Sequence, residues 1–140
     1  MENAADRAVL AIDFGGTQIR AALVSPDRAV HARRAVPTDD EEGVDAVLAR
    51  IVAVAGESRD EAASSGLPDP IGVSISSPGP LDPWRGVVLM APNLSGWRNV
   101  DVAGPVRDAL GLPAFLERDT NVAVVGEWRY GAARGTRNAI

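Results

Sequence analysis

Two carboxylates, Asp13 and Asp119, each stand at the end of an apolar run, and each is followed at once by residues that interrupt it. The first opens "DFGGT" (13–17), and the second lies inside "ERDTN" (117–121). In the first, Gly15 and Gly16 carry no Cβ, so backbone N–H groups can press against phosphate oxygens, with the Thr17 hydroxyl as a further donor. Asp13 beside them suits Mg²⁺ held through water, because Mg²⁺ keeps much of its hydration and takes only one or two carboxylates. The same residues equally make a Gly-Gly hairpin turn. Asp119 is placed to take a proton from a hydroxyl, with the positive end of a helix dipole behind it, or simply to cap that helix. Between them lie "SSPGP" (76–80), where Gly79 would admit a ligand close to the backbone, and "PNLSGW" (92–97), where Asn93 is a natural partner for a hydroxyl-rich ligand. Read alone, both are also ordinary turn sequences.

The elements that must position these residues alternate in kind. Ala8–Asp13, Ile19–Val24 and Ala29–Val36 read as strands, with "SPDR" (25–28) turning the chain between the last two. Thr38 and Glu41 have capping-box spacing, followed by Val44, Val47, Leu48, Ile51, Val54 and Ala55 at helical intervals, with Gly56 as a candidate stop, unless the polar stretch 57–70 extends the helix before becoming a surface loop. "IGVSISS" (71–77) reads as a buried strand with Ile71, Val73 and Ile75 on one face. The prolines of "PGPLDPWRG" argue against regular structure there. A short strand at Val87–Met90, a helix within "NVDVAGPVRDALGLP" closed by Gly111, and a brief strand at 114–117 follow. A last helix starts with Asp119 or Thr120 as N-cap and ends at Gly131. Strands followed by alternating helices and strands specify an α/β layered domain. Each candidate loop follows an apolar strand, which puts it at the carboxyl edge of a sheet, where α/β proteins bind ligands. Trp84, Trp97 and Trp128 form no stripe and read as packing residues, and His31 as a half-exposed sheet residue.

Composition narrows the chemistry. The 140 residues suit one domain, and the formal net charge of −5 argues against nucleic acid as a partner. All fourteen basic residues are arginine, so a Walker-type loop with its lysine is excluded. Cysteine is absent and His31 is the only histidine, which removes thiol nucleophiles, zinc clusters and a Ser-His-Asp triad from expectation. The first ten residues lack a basic n-region, and no run of 18 apolar residues occurs, so no membrane partner and a cytoplasmic location are expected.

Taken together and in order, "AIDFGGTQIRAALV", "GVSISSPGPLDPWRGVVLMAPNLSGWRNVDV" and "LGLPAFLERDTNVAVVGEWRYGAARG" resemble the N-terminal half of the ROK family of bacterial sugar kinases and sugar-responsive repressors. The resemblance implies an actin-like, ribonuclease-H-like ATPase lobe, a mixed sheet flanked by helices. In a kinase it transfers the γ-phosphoryl group of ATP to a sugar hydroxyl with Mg²⁺. By position, Gly15, Gly16 and Thr17 match the first phosphate-binding loop, Asp13 its metal-side carboxylate, and Asp119 the catalytic base. Gly79 and Asn93 fall in sugar-contacting segments. Arg118 stands where the family usually has a sugar-binding asparagine, and Gln18 where many members have lysine; the longer, donor-only arginine bears on which sugar is accepted.

The resemblance further implies that 1–133 form the N-terminal lobe and 134–140 begin the connection to a second lobe. In the family that lobe carries another glycine-rich loop, adenine contacts and a zinc-binding His/Cys cluster, none of which is in this sequence. Without it the chain is expected to be inactive, and the full-length protein is expected to be a homo-oligomer. Two other readings stand beside the kinase lobe. One is the sensor domain of a ROK repressor, in which a helix-turn-helix precedes the lobe, whereas Asp13 is close to the start of this sequence. The other is a stand-alone lobe acting through protein contacts.

Overall fold

The computed structural model describes residues 7–139. Strict alternation in Val9–Phe14 (β1) sends Leu10, Ile12 and Phe14 inward and leaves Asp13 exposed. β1 pairs antiparallel with Gln18–Val24 (β2), Phe14 opposite Ile19, and Val30–Pro37 (β3) adds antiparallel to β2. A single 3₁₀ turn at Asp40–Glu42 leads into the helix Val44–Ser64 (α1). Val73–Ser77 (β4) then pairs parallel with β1, and Ala114–Arg118 (β8) parallel with β4. The resulting five-stranded mixed sheet has the order β3-β2-β1-β4-β8. Between β4 and β8 the chain builds a small antiparallel sheet from Leu81–Asp82 (β5), Val87–Met90 (β6) and Arg98–Asp101 (β7). The helix Ala103–Leu110 (α2) follows β7, and Asp119–Tyr130 (α3) follows β8 directly.

One face of the large sheet carries the core. Val47, Ile51 and Val54 of α1 and Val106 of α2 pack on Leu10, Ile12, Ile75 and Leu116, all at most 2% exposed. Burying each such side chain stabilises the fold by about 1.5–3 kcal/mol. The core continues under the small sheet, where the Trp97 and Phe14 rings lie 4.7 Å apart between centroids. The other face is open among the described residues. There α3 packs chiefly on β4 and β8, with the Arg28 guanidinium of the β2–β3 turn 5.4 Å from the Tyr130 ring centroid; it buries none of its own residues and leaves Val125, Trp128 and Tyr130 exposed.

Several local expectations are corrected. Thr38 does not cap α1: it is fully buried and its hydroxyl bonds the Gly15 carbonyl, while Gly43 occupies the N-cap position. Gly56 does not stop the helix, which runs two turns further because Ser58 and Ala62 still bury against the sheet; that contact outweighs the roughly 1 kcal/mol helix cost of glycine. Ile71 lies in a bend before β4 and is 38% exposed rather than buried. The proline-rich stretch contains the two-residue strand β5, and β7 (Arg98–Asp101) takes the first residues of the stretch read above as helical. Arg118, in extended conformation, takes the N-cap position of α3, so Asp119 is its first residue and neither it nor Thr120 is the cap. Of the three tryptophans only Trp97 is a packing residue; Trp84 is 97% exposed and Trp128 is also exposed.

Candidate active site

Parallel pairing aligns the carboxyl ends of three neighbouring strands. Asp13 of β1 stands opposite Ser76 of β4, and Ser76 opposite Glu117 of β8. Alternation places this row on the open face, because Ile12, Ile75 and Leu116 beside it point into the core. Two strand spacings separate β1 from β8, about 10 Å. The turn after β1, the Pro78–Pro80 bend after β4 and the start of α3 after β8 therefore leave the sheet at one edge, as expected from the strand-end positions.

Asp13 sits in a groove of about 480 Å³ on that face, lined also by Ala11, Arg20, Ser74, Ser76 and Val122. The Ser76 hydroxyl donates to Asp13 Oδ1 at 2.9 Å. Arg20 reaches Oδ2 only at 3.4 Å, and both side chains of that pair are more than half exposed, so it is a loose surface contact. The carboxylate thus has one oxygen fixed by a neutral donor and free lone pairs on both. That suits a water-mediated Mg²⁺ that takes most of its remaining ligands from phosphate and solvent. No group of three or more His, Asp or Glu side chains able to cage a metal is present among the described residues.

The turn between β1 and β2 is a hairpin closed by Gly15 N–H donating to the Gln18 carbonyl at 2.9 Å. A Cβ on Gly15 would come within 3.2 Å of that same carbonyl, which accounts for the first glycine by crowding rather than by left-handed backbone. Gly16 and Thr17 are exposed, and their N–H groups have no hydrogen-bond partner among the described residues. The turn is thus a hairpin whose tip leaves two backbone donors open to solvent.

Asp119 is exposed at the first position of α3, where Oδ1 accepts the Thr120 N–H at 2.7 Å. Its other oxygen is unengaged among the described residues. Glu117, one strand over from Ser76, is occupied in holding this junction. Its Oε1 accepts both the Arg118 N–H at 2.7 Å and the Asn121 side-chain amide at 3.0 Å. Arg118 is exposed, and its guanidinium pairs with neither Glu117 nor Glu127. Gly79 packs against its own turn, where a Cβ would lie 3.2 Å from the Leu81 nitrogen. Asn93 is exposed at the tip of the β6–β7 connection, anchored from below by buried Leu94 and Trp97. A Cβ on Gly16 would sit 3.8 Å from that of Asn93, so the two tips are neighbours. The Ser95 N–H donates to Asp40 Oδ2 at 3.1 Å and ties the same connection to the turn before α1.

Ser76, Glu117 and Asn121 belong to this site, yet reading the sequence gave them no role. The usable signal was register: Ser74 and Ser76 alternate with Val73 and Ile75, so they had to face away from the core beside Asp13. At the far edge of the sheet, Ser25, Asp27 and His31 also meet. Both contacts converge on Ser25 Oγ, which bonds Asp27 and lies 2.9 Å from His31 Nε2. Among the described residues no carboxylate stands behind the imidazole, so this is a pinned turn and not a nucleophile triad.

Comparison with known proteins returns one family. The model of the ROK family matches residues 9–140. A glucokinase from Thermotoga maritima is 35% identical over 127 residues, covering 91% of this chain and 38% of that protein. The crystal structure of a ROK family glucokinase from Streptomyces griseus in complex with glucose and AMPPNP superposes with a TM-score of 0.78 at 31% identity, covering 91% of this chain and 38% of that one. A xylose repressor from Bacillus subtilis is 34% identical over 70 residues, half of this chain and 18% of that protein. The chain thus spans about two fifths of the length of the glucokinases it matches.

Proposed function

The chain belongs to the ROK family, with the actin-like ATPase fold, and from that premise we propose that its parent protein is an ATP-dependent sugar kinase of the glucokinase type. The observation that carries the proposal is the shared sheet edge. The glycine turn after β1 and Asp119 after β8 leave the sheet at the same edge, with Asn93 beside the turn. ATP phosphates and a sugar hydroxyl can meet there.

In this reading the Gly16 and Thr17 N–H groups and the Thr17 hydroxyl hold phosphate oxygens, and Asp13 holds Mg²⁺ through water. Mg²⁺ held there would offset the negative charge that develops on the phosphate oxygens. Gly79, Asn93 and Arg118 face the sugar. The free oxygen of Asp119 takes the proton of the attacking sugar hydroxyl as the hydroxyl oxygen bonds to the γ-phosphorus, and ADP leaves with the electron pair of the broken P–O bond. The backbone bond to the other oxygen keeps the carboxylate aimed during the transfer.

Residues 1–133 form the N-terminal lobe in this proposal, and 134–140 lead to a second lobe that clamps the nucleotide from the other side and excludes water. The lobe alone is then inactive. The parent works in the cytoplasm as a homo-oligomer on small molecules, without nucleic acid or membrane. The repressor reading is second. The sequence relation to the repressor covers half of the chain, against 91% for the glucokinase, and Asp13 and Asp119, needed only for turnover, are both present.

The test is ATP-dependent phosphorylation of glucose, mannose, fructose and N-acetylated hexosamines by the purified full-length parent. Turnover of at least one supports the kinase. Sugar binding without turnover of any would establish the sensor reading instead. Robust turnover by residues 1–140 alone would overturn the need for a second lobe.

A further inference from the structure

Thr38 has a role left over once its capping function is removed. It follows β3 directly and is 0% exposed, an unusual place for a hydroxyl. All of its polar groups are engaged. Its N–H donates to the Thr17 carbonyl at 2.9 Å, its Oγ1 donates to the Gly15 carbonyl at 2.7 Å, and its own carbonyl accepts from the Arg50 guanidinium. Arg50 is in turn fixed by an ion pair with Glu42. The bonds from Thr38 span 21 and 23 residues and bind both ends of the exposed turn to the interior.

We propose that Thr38 is a positioning residue that presents the Gly16 N–H, at the tip of the Gly15–Thr17 turn, to the nucleotide phosphates; this rests on the reading of that turn as the phosphate site. A trans peptide unit is planar with its C=O and N–H pointing in opposite directions. The carbonyl of Gly15 and the N–H of Gly16 share one such unit. Drawing that carbonyl inward onto Thr38 Oγ1 turns the Gly16 N–H outward, where it has no protein partner among the described residues. The second bond, to the Thr17 carbonyl, fixes the other side of the turn. A glycine pair has more conformational freedom than any other dipeptide, so its outward donors need an inward restraint. Thr38 supplies it from a site that touches neither nucleotide nor sugar.

The experiment uses the full-length parent, with Mg²⁺·AMPPNP and glucose as calorimetric probes and KM for ATP and for sugar from turnover. Thr38→Val keeps volume and the backbone bond and removes only the hydroxyl. It is expected to weaken AMPPNP binding and raise KM for ATP at least about fivefold, the scale of one lost buried hydrogen bond, with glucose affinity within about twofold; Thr38→Ser restores both. Should Thr38→Val not fold, Thr38→Cys keeps the size with a weaker donor and is expected to fall between Val and wild type. Unchanged nucleotide binding in Thr38→Val while Thr17→Val loses it would overturn the positioning role and leave the phosphate site standing. If neither variant affects the nucleotide, neither hydroxyl bears on its binding and the positioning role falls; Gly16→Pro, which removes the outward N–H, then decides the turn, since unchanged nucleotide binding in it would remove the phosphate site as well. A parallel loss of nucleotide and sugar affinity that Ser does not rescue would make Thr38 a packing residue only.

Discussion

Ser76 and Asp13 face each other across the parallel β1–β4 pairing, and the serine hydroxyl donates to the aspartate Oδ1 at 2.9 Å. The bond selects which oxygen of Asp13 is turned to the neighbouring strand. Ser76→Ala in the full-length parent is expected to raise the Mg²⁺ concentration for half-maximal rate several-fold, in line with the roughly 1.5–3 kcal/mol of a hydrogen bond to a charged group, reduced by partial exposure. Asp13→Asn is expected to weaken Mg²⁺-ATP use further. Measured Mg²⁺ titrations that coincide for wild type and both variants would remove Asp13 from the metal side.

Asp119→Asn keeps the size of the side chain and its bond to the Thr120 N–H but removes the base. General-base catalysis is worth about 10²–10⁴ in rate, so kcat is expected to drop by that order while sugar affinity changes little. A kcat within about threefold of wild type, far inside that range, would reduce Asp119 to the first residue of a helix.

Arg118 has an exposed guanidinium with no carboxylate partner among the described residues, one position before Asp119. Arg118→Asn is expected to shift relative kcat/KM among glucose, mannose and acidic or acetamido sugars. An identical sugar profile for the two proteins would place the guanidinium outside the sugar site.

The Asp27 carboxyl is held below the ordinary 3.8, chiefly by the Ser25 hydroxyl, then by the Ala29 N–H, with a smaller contribution from His31. A depressed folded-state value stabilises the fold above the unfolded-state value, and the contribution is lost as pH falls through the folded one. Asp27→Asn is therefore expected to melt below wild type at pH 7, with the gap closing on acidification below about pH 4. A gap that stays constant down to pH 2 would contradict this.

Local chemistry made the central elements legible. Alternation in β1, the turn residues after it, Gly111 in left-handed conformation after α2 and Gly131 after α3 all act within a few residues of where they are read. What was not legible depends on distant partners. β7 is four residues long and exists because β6 pairs with it. Gly56 is carried inside α1 by contacts that Ser58 and Ala62 make with other elements. Thr38 and Glu41 satisfied a capping pattern, but a hydrogen bond 23 residues back along the chain decided the threonine's use. The site divides likewise. Asp13, the glycine turn and Asp119 were marked by their positions at strand ends, whereas Ser76 and Glu117 join them only through strand register.

The two sheets share no strand: Asp13, the glycine turn and Asp119 ride on the five-stranded one, and Asn93 rides on the three-stranded one. A substitution or a change of length between Met90 and Arg98 can remodel the tip around Asn93 without shifting the register of β1, β4 or β8. On the kinase reading, the share of substrate preference carried by Asn93 is heritable separately from the phosphate chemistry, whereas the share carried by Arg118 rides on β8 beside Asp119. Lineages can drift from one sugar to another through the small sheet while the transfer machinery stays in place, constrained where Gly16 abuts Asn93 and where Asp40 holds Ser95.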